Sequence, residues 1–171
     1  MKKFCGSIFL VTFLVFKLGF SESSKIIYDQ KRVLKETQES FNILTGPENL
    51  VVGGHCGRAG QKTKGLGAIQ ALARNKRLDL IHKVLNGANL SGQVYAAWAY
   101  IELQKMGFQI SAADRSVIEH LKKSYKTVQA CNGCIYSQTS LRSILDPKEG
   151  PLMGVSLVER SEFYRQDESK K

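Results

Sequence analysis

The chain has 171 residues, with 25 Lys and Arg against 15 Asp and Glu, a formal net charge of +10 and four cysteines. This length predicts one main domain that can bury a core without relying on crosslinks. The positive balance admits anionic partners. No block of five or six like charges occurs, and the densest clusters, Lys122-Lys123 with Lys126 and Lys62 with Lys64, lack the interleaved aromatics of a nucleic-acid groove, so no nucleic-acid partner is expected.

Met1, Lys2 and Lys3 precede an apolar run from Phe4 to Phe16, interrupted by Cys5, Gly6, Ser7 and Thr12 and closed by Lys17. That is the layout of a secretory signal peptide. The run is shorter than the roughly 20 apolar residues of a spanning helix. Gly19 and Ser21 place small side chains before a cut at Glu22, with a cut after Ser23 as the alternative. A secreted or periplasmic location follows, with no transmembrane segment after cleavage. Removing the leader's three lysines leaves 22 basic and 15 acidic residues, a formal charge of +7.

From Ser24 to Leu44, Ile27, Leu34 and Phe41 recur every seven positions among charged residues, predicting an amphipathic helix that Gly46-Pro47 ends. Val51 to Gly67, VVGGHCGRAGQKTKGLG, has six glycines in seventeen residues and reads as loop or tight turns. A helical block then runs from Leu66 through Leu72, Leu78, Ile81 and Leu85, with a break expected at Asn75 and a left-handed stop at Gly87. Ser91 offers the cap of a helix reaching Met106, with Gly107 as its stop. Its stretch VYAAWAYIEL is apolar nearly all round, as in a surrounded helix. Core positions are therefore assigned to Leu78, Ile81, Leu85, Val94, Ala97, Trp98, Ile101 and Leu121. Ser111 and Asp114 have capping-box spacing for a further helix, with Val117, Ile118, Leu121 and Tyr125 on one side and lysines in its last turns. Cys131 to Cys134 reads as a turn, Ser137 to Leu145 as a short helix, and Leu152 to Val158 as a short strand or extended arm. The polar tail, Arg165 to Lys171, is expected to be disordered.

The expected fold is mainly α: a small compact helical bundle or a short α-α superhelix of about five helices with a glycine-rich loop. Its parts are a signal peptide (1–21), an N-terminal amphipathic helix (22–46), a helical core domain with three cysteines (47–150) and a C-terminal arm and tail (151–171). Residues 68–106, through Leu78, Ile81, Leu85, Val94, Ala97, Trp98 and Ile101, resemble one helical hairpin of the HEAT and armadillo type. The arginine and aspartate that usually mark a HEAT turn are missing. The resemblance implies a binding scaffold.

Three cysteines outlast the leader. In an oxidising compartment the leading reading joins Cys56 to either Cys131 or Cys134. The alternatives are a local Cys131–Cys134 bridge, thiol redox chemistry at that CxxC pair, free thiols, or a zinc site that adds His55. Hydrolase signatures fail. Gly154-Val155-Ser156 lacks the second glycine of a nucleophile elbow, and Glu119-His120 stands in the wrong order for a zinc protease. Gly60, Lys62 and Thr63 do not complete a phosphate loop, because Gln61 stands where a glycine is needed. His82 and His120 read as ordinary helix-surface residues, and Glu102, Asp114 and Glu119 as solvated or capping carboxylates. Asn89-Leu90-Ser91 is a glycosylation sequon in a eukaryotic host. No catalytic residue, metal or cofactor is assigned. The expected role is a non-catalytic scaffold binding an unidentified protein or an anionic envelope surface. The alternatives are a thiol-redox protein using Cys131 and Cys134 and an envelope hydrolase.

Overall fold

The computed structural model describes residues 30–158 apart from 48, 49, 147, 149 and 153. The expected leader and the polar tail lie outside the described residues. The chain divides into two compact units, Met1–Glu36 and Thr37–Lys171. Helix α1 is described over residues 30–45. Its last turns, in the second unit, bury Thr37, Ser40 and Leu44.

The fold is mainly α. A small hairpin, β1 (His55–Cys56) and β2 (Gln61–Lys62), precedes the helices α2 (Lys64–Arg74), α3 (Leu78–Leu85), α4 (Leu90–Lys105) and α5 (Ala112–Lys123). A second antiparallel hairpin follows, β3 (Thr127–Asn132) and β4 (Ile135–Ser140), then the single turn α6 (Leu141–Ile144). Of the helix expected over Ser137 to Leu145, Ser137 to Ser140 is thus extended as part of β4. Only Leu141 to Ile144 coils. Leu152 to Val158 forms no strand among the described residues; it is turns and bends, with Gly154 in the left-handed region. Leu152, Leu157 and Val158 nevertheless join the core.

Helix ends follow local chemistry. Thr63 caps α2 through the Leu66 amide. The break after Asn75 is a paired-carbonyl C-terminus: the Lys76 amide bonds Ala73 O at 2.9 Å and the Arg77 amide bonds Leu72 O at 2.9 Å. Lys76 takes the left-handed conformation there, at φ +53°. Gly87 is not left-handed; Asn86 ends α3 instead. The cap of α4 is Asn89, not Ser91. Its side chain accepts from the Gly92 amide while its own NH₂ donates to Gly46 O at 2.6 Å, so one residue also fastens the α1 terminus. Ser91 lies inside the helix and is buried. Ser111 caps α5 at the Asp114 amide. Tyr125 falls beyond the end of α5 and is 74 % exposed, held by Arg142, which donates to its hydroxyl at 2.9 Å.

Helix α4 is the centre. It packs against α2, α3, α5 and β3, and buries Val94 to Tyr100 without interruption. Ile81, Leu85, Val94 and Ala97 are completely buried, Trp98 and Leu121 are buried, and Leu78 and Ile101 are half-buried against the same core. At Gly65, in the first turn of α2, an added Cβ would run into the ring of Tyr95. The two helices approach this closely only because position 65 has no side chain.

Two outcomes follow. Gly65→Ala should lose about 1–3 kcal/mol in urea unfolding, since the overlap forces α2 and α4 apart and outweighs any helix-propensity gain at a first-turn position. Burial, with the charge of Asp114 second, pushes the Tyr100 phenol up to about 12. An unfolded tyrosine ionises near 10 while the folded one stays neutral, so its contribution is fully present below about pH 10 and is lost as pH rises towards 12. Tyr100→Phe should flatten this part of a stability-versus-pH curve.

Candidate functional site

The glycine-rich segment and the β3–β4 hairpin, 75 residues apart, meet at one end of the second unit. Cys56 and Cys131 form a disulfide with a Cα–Cα distance of 6.0 Å. Val52 lies parallel to β3, donating its amide to Gln129 O and accepting the Cys131 amide, both at 2.8 Å. A second parallel contact joins Cys56 to Gly133, where the Gly57 amide reaches Gly133 O at 2.9 Å. At Gly53 an added Cβ would lie 2.5 Å from Cys131 O and 2.7 Å from its Sγ. The glycines thus let one backbone lie against another.

Tyr95 anchors this end to the helices. Its buried hydroxyl donates to Val51 O at 2.9 Å, accepts the Gly53 amide at 3.1 Å and stands 2.8 Å from Thr63 Oγ1. Thr63 Oγ1 in turn donates to Gly53 O at 2.7 Å and caps α2. Burial raises the Tyr95 phenol above its ordinary value, opposed by its polar neighbours Thr63 and Gly53. A neutral donor and acceptor therefore sits at the junction.

The cysteine pairing is Cys56–Cys131. Cys134 is apart, exposed and free. The CxxC motif straddles a hairpin: Cys131 belongs to β3 and Cys134 to the tight turn, so the local bridge and the all-turn reading of Cys131 to Cys134 are both overturned. With Cys56 and Cys131 consumed in the bridge, the four-ligand set proposed with His55 does not form. Among the described residues no three His, Cys, Asp or Glu side chains gather as a metal site.

A polar cluster that the sequence reading leaves divided forms between α3 and α5. Asp114, 5 % exposed, accepts from Ser111 Oγ at 2.8 Å and lies 2.8 Å from His82 Nδ1. An oriented histidine beside a buried carboxylate has the look of a general base. Ser111 contacts the carboxylate, not the imidazole. The cluster caps α5 and ties it to α3. Two cavities lie elsewhere. One of about 390 Å³ lies between Trp98, Ile101, Glu102 and the C-terminal turns. Another of about 720 Å³ lies between Thr45, Asn89, Val128 and Gln138.

The sequence also sorts charge. Between Glu48 and Asp79 the sequence has no acid and six basic residues, Arg58, Lys62, Lys64, Arg74, Lys76 and Arg77; between Glu119 and Asp146 it has none and four, Lys122, Lys123, Lys126 and Arg142. The disulfide joins these two stretches through β1 and β3; of their cations, Arg58 and Lys62 belong to the β1–β2 hairpin, while Arg77 pairs with Asp79 and Lys122 with Glu119. The signal in the sequence is the missing acids, not a run of lysines. No family model, curated protein or solved structure matches the chain.

Replacing both Cys56 and Cys131 by alanine opens a loop of 75 residues. A loss of about 4 kcal/mol on the chain-entropy argument is expected in urea unfolding. Replacing Cys134 alone should leave the midpoint unchanged.

Proposed function

We propose that the chain is exported, sheds its leader, and acts outside the cytoplasm as a non-catalytic binding module for an anionic partner. The observation that carries this reading is that the Cys56–Cys131 bridge ties together two basic stretches, distant in sequence, that contain no acid. A structural disulfide belongs to an oxidising compartment, in keeping with the positive start and apolar run of the first residues. Clustered cations without interspersed acids attract anions over about a Debye length and speed their encounter. Chemistry has less support: the histidine that is oriented, His82, has no nucleophile beside it, and the exposed thiol, Cys134, has no cysteine bonded to it.

The mature chain tested in solution separates this from thiol chemistry. Poly-glutamate should bind with an affinity that falls as salt rises, and Arg58→Glu combined with Lys62→Glu should weaken it at least tenfold. Thiol-driven reduction of insulin should run at its uncatalysed rate. Catalysed reduction that disappears in Cys134→Ser, together with no poly-glutamate binding, would replace the module by a redox protein.

A further inference from the structure

The β3–β4 hairpin leaves one edge open. Register and hydrogen bonds fix which edge. The Leu141 amide donates to Lys126 O, so the even-numbered residues of β3 point their backbone groups at β4, and the odd-numbered ones point away. Gln129 and Cys131 accordingly satisfy Val52 on the far side of β3. By the same alternation the amides and carbonyls of Tyr136 and Gln138 face outward from β4. No hydrogen bond to these backbone groups occurs among the described residues.

Folded proteins normally protect such an edge with lysine, proline or a bulge. Strand β4 has none of these. Its sequence, IYSQTS, is uncharged, and Ile135 and Tyr136 are 71 % and 52 % exposed. Charge lies at its two ends instead. At the tip, Gly57 bonds the Gly133 carbonyl and carries Arg58 beside it, and the Tyr136 hydroxyl lies against position 57. At the foot, Lys126 pairs with Leu141, and Arg142 bonds Ser124 O through its amide and Tyr125 through its side chain. Six residues at about 3.4 Å each separate the two ends by roughly 20 Å.

We propose that β4 is the docking edge for an extended, acidic segment of another protein, which adds as a third strand to the β3–β4 sheet. The proposal rests on the binding-module reading and supplies its partner class. Backbone groups of Tyr136 and Gln138 provide the ladder, the exposed Ile135 and Tyr136 side chains take apolar contacts, and the cations at tip and foot select a chain with carboxylates about six residues apart. A second copy of this chain fits poorly. An antiparallel β4–β4 pair would set the Arg58 end of one copy against the Lys126 and Arg142 end of the other, bringing like charges together.

The test uses the ¹⁵N-labelled mature chain and a blocked decapeptide of alternating glutamate and valine. Binding should slow hydrogen exchange at the Tyr136 and Gln138 amides, while Ser137, already bonded to β3, changes little. Gln138→Pro removes one outward donor and no donor within the hairpin, and should weaken peptide binding at least tenfold. Should that variant fold poorly by circular dichroism, Arg142→Glu provides the second arm, with a loss of at least threefold expected. A peptide with lysine in place of glutamate should not bind. Equal binding by Gln138→Pro and wild type, with protection absent from β4, overturns strand addition and leaves the anionic-partner reading intact. Binding to phosphatidylglycerol vesicles but not to the peptide overturns the proposal in favour of a lipid surface, again leaving that reading intact. A concentration-dependent dimer abolished by Gln138→Pro overturns it in favour of self-pairing. Failure of peptide, vesicles and poly-glutamate alike overturns both.

Discussion

The buried hydroxyl of Tyr95 joins the two parts of the second unit that have least in common, an apolar helical layer and a glycine-rich, strand-bearing end. Helix α4 is apolar on every side, and a phenol is one of the few groups that can be buried there and still carry a polar tip. The tip meets Val51, Gly53 and Thr63 together, so it satisfies loop backbone that would otherwise be buried unpaired. An unpaired buried amide costs about 1–3 kcal/mol, which is why such segments rarely enter a core. With Val51 and Gly53 fixed, Val52 is presented to β3, and Cys56 arrives within bonding distance of Cys131. The disulfide therefore reinforces a junction that hydrogen bonds already define. Gly65 and Gly53 serve the same end from two directions: one lets the Tyr95 ring lie against α2, the other lets the loop lie against Cys131.

The helical layer was legible because its signals are local. Three- and four-residue apolar spacing, the Ser111–Asp114 cap and the break at Asn75 depend on residues within one turn of each other. Asn89 and Ser91 show the limit. Both are good caps, and the choice falls on Asn89 because its amide also reaches Gly46 O, a tertiary bond with no trace in local spacing. Strand β4 escapes local spacing for a related reason. Leu141, Ile144 and Leu145 carry a helical period, and the preceding IYSQTS lacks strict apolar alternation because neither face of β4 is well covered. The two-residue loop Gly133-Cys134 before it, with Gly133 at positive φ, is the hairpin signal that outranks the helical one. At the C-terminal arm, Leu152, Leu157 and Val158 are buried from irregular turns, where no periodicity exists to be read.

The candidate site was legible only in its cysteines. Even there, composition left the partner of Cys56 open between Cys131 and Cys134. The hairpin decides it: Cys131 lies on a strand facing the glycine loop, whereas Cys134 projects from the turn. His82 and Asp114 show the converse. Each has an ordinary helical position, and their pairing exists only because α3 and α5 pack side by side.

Charge sorting links this architecture to binding. If the ten basic residues of the two acid-free stretches were spread evenly among the acids, surface pairing would cancel most of their field, since exposed ion pairs are worth little and are screened within about 10 Å. The Cys56–Cys131 bridge ties the two stretches to each other, and among their cations Arg77 and Lys122 pair with the flanking acids Asp79 and Glu119. Concentrating like charge destabilises a compact state through self-repulsion. The covalent Cys56–Cys131 tie opposes repulsion between the two stretches, and the Tyr95 hydroxyl holds the loop that carries Cys56. The β3–β4 hairpin carries an uncharged strand with open backbone groups. A lipid surface would be satisfied by cations alone and makes no use of a directional row of amides and carbonyls, whereas an extended acidic polypeptide uses both features together.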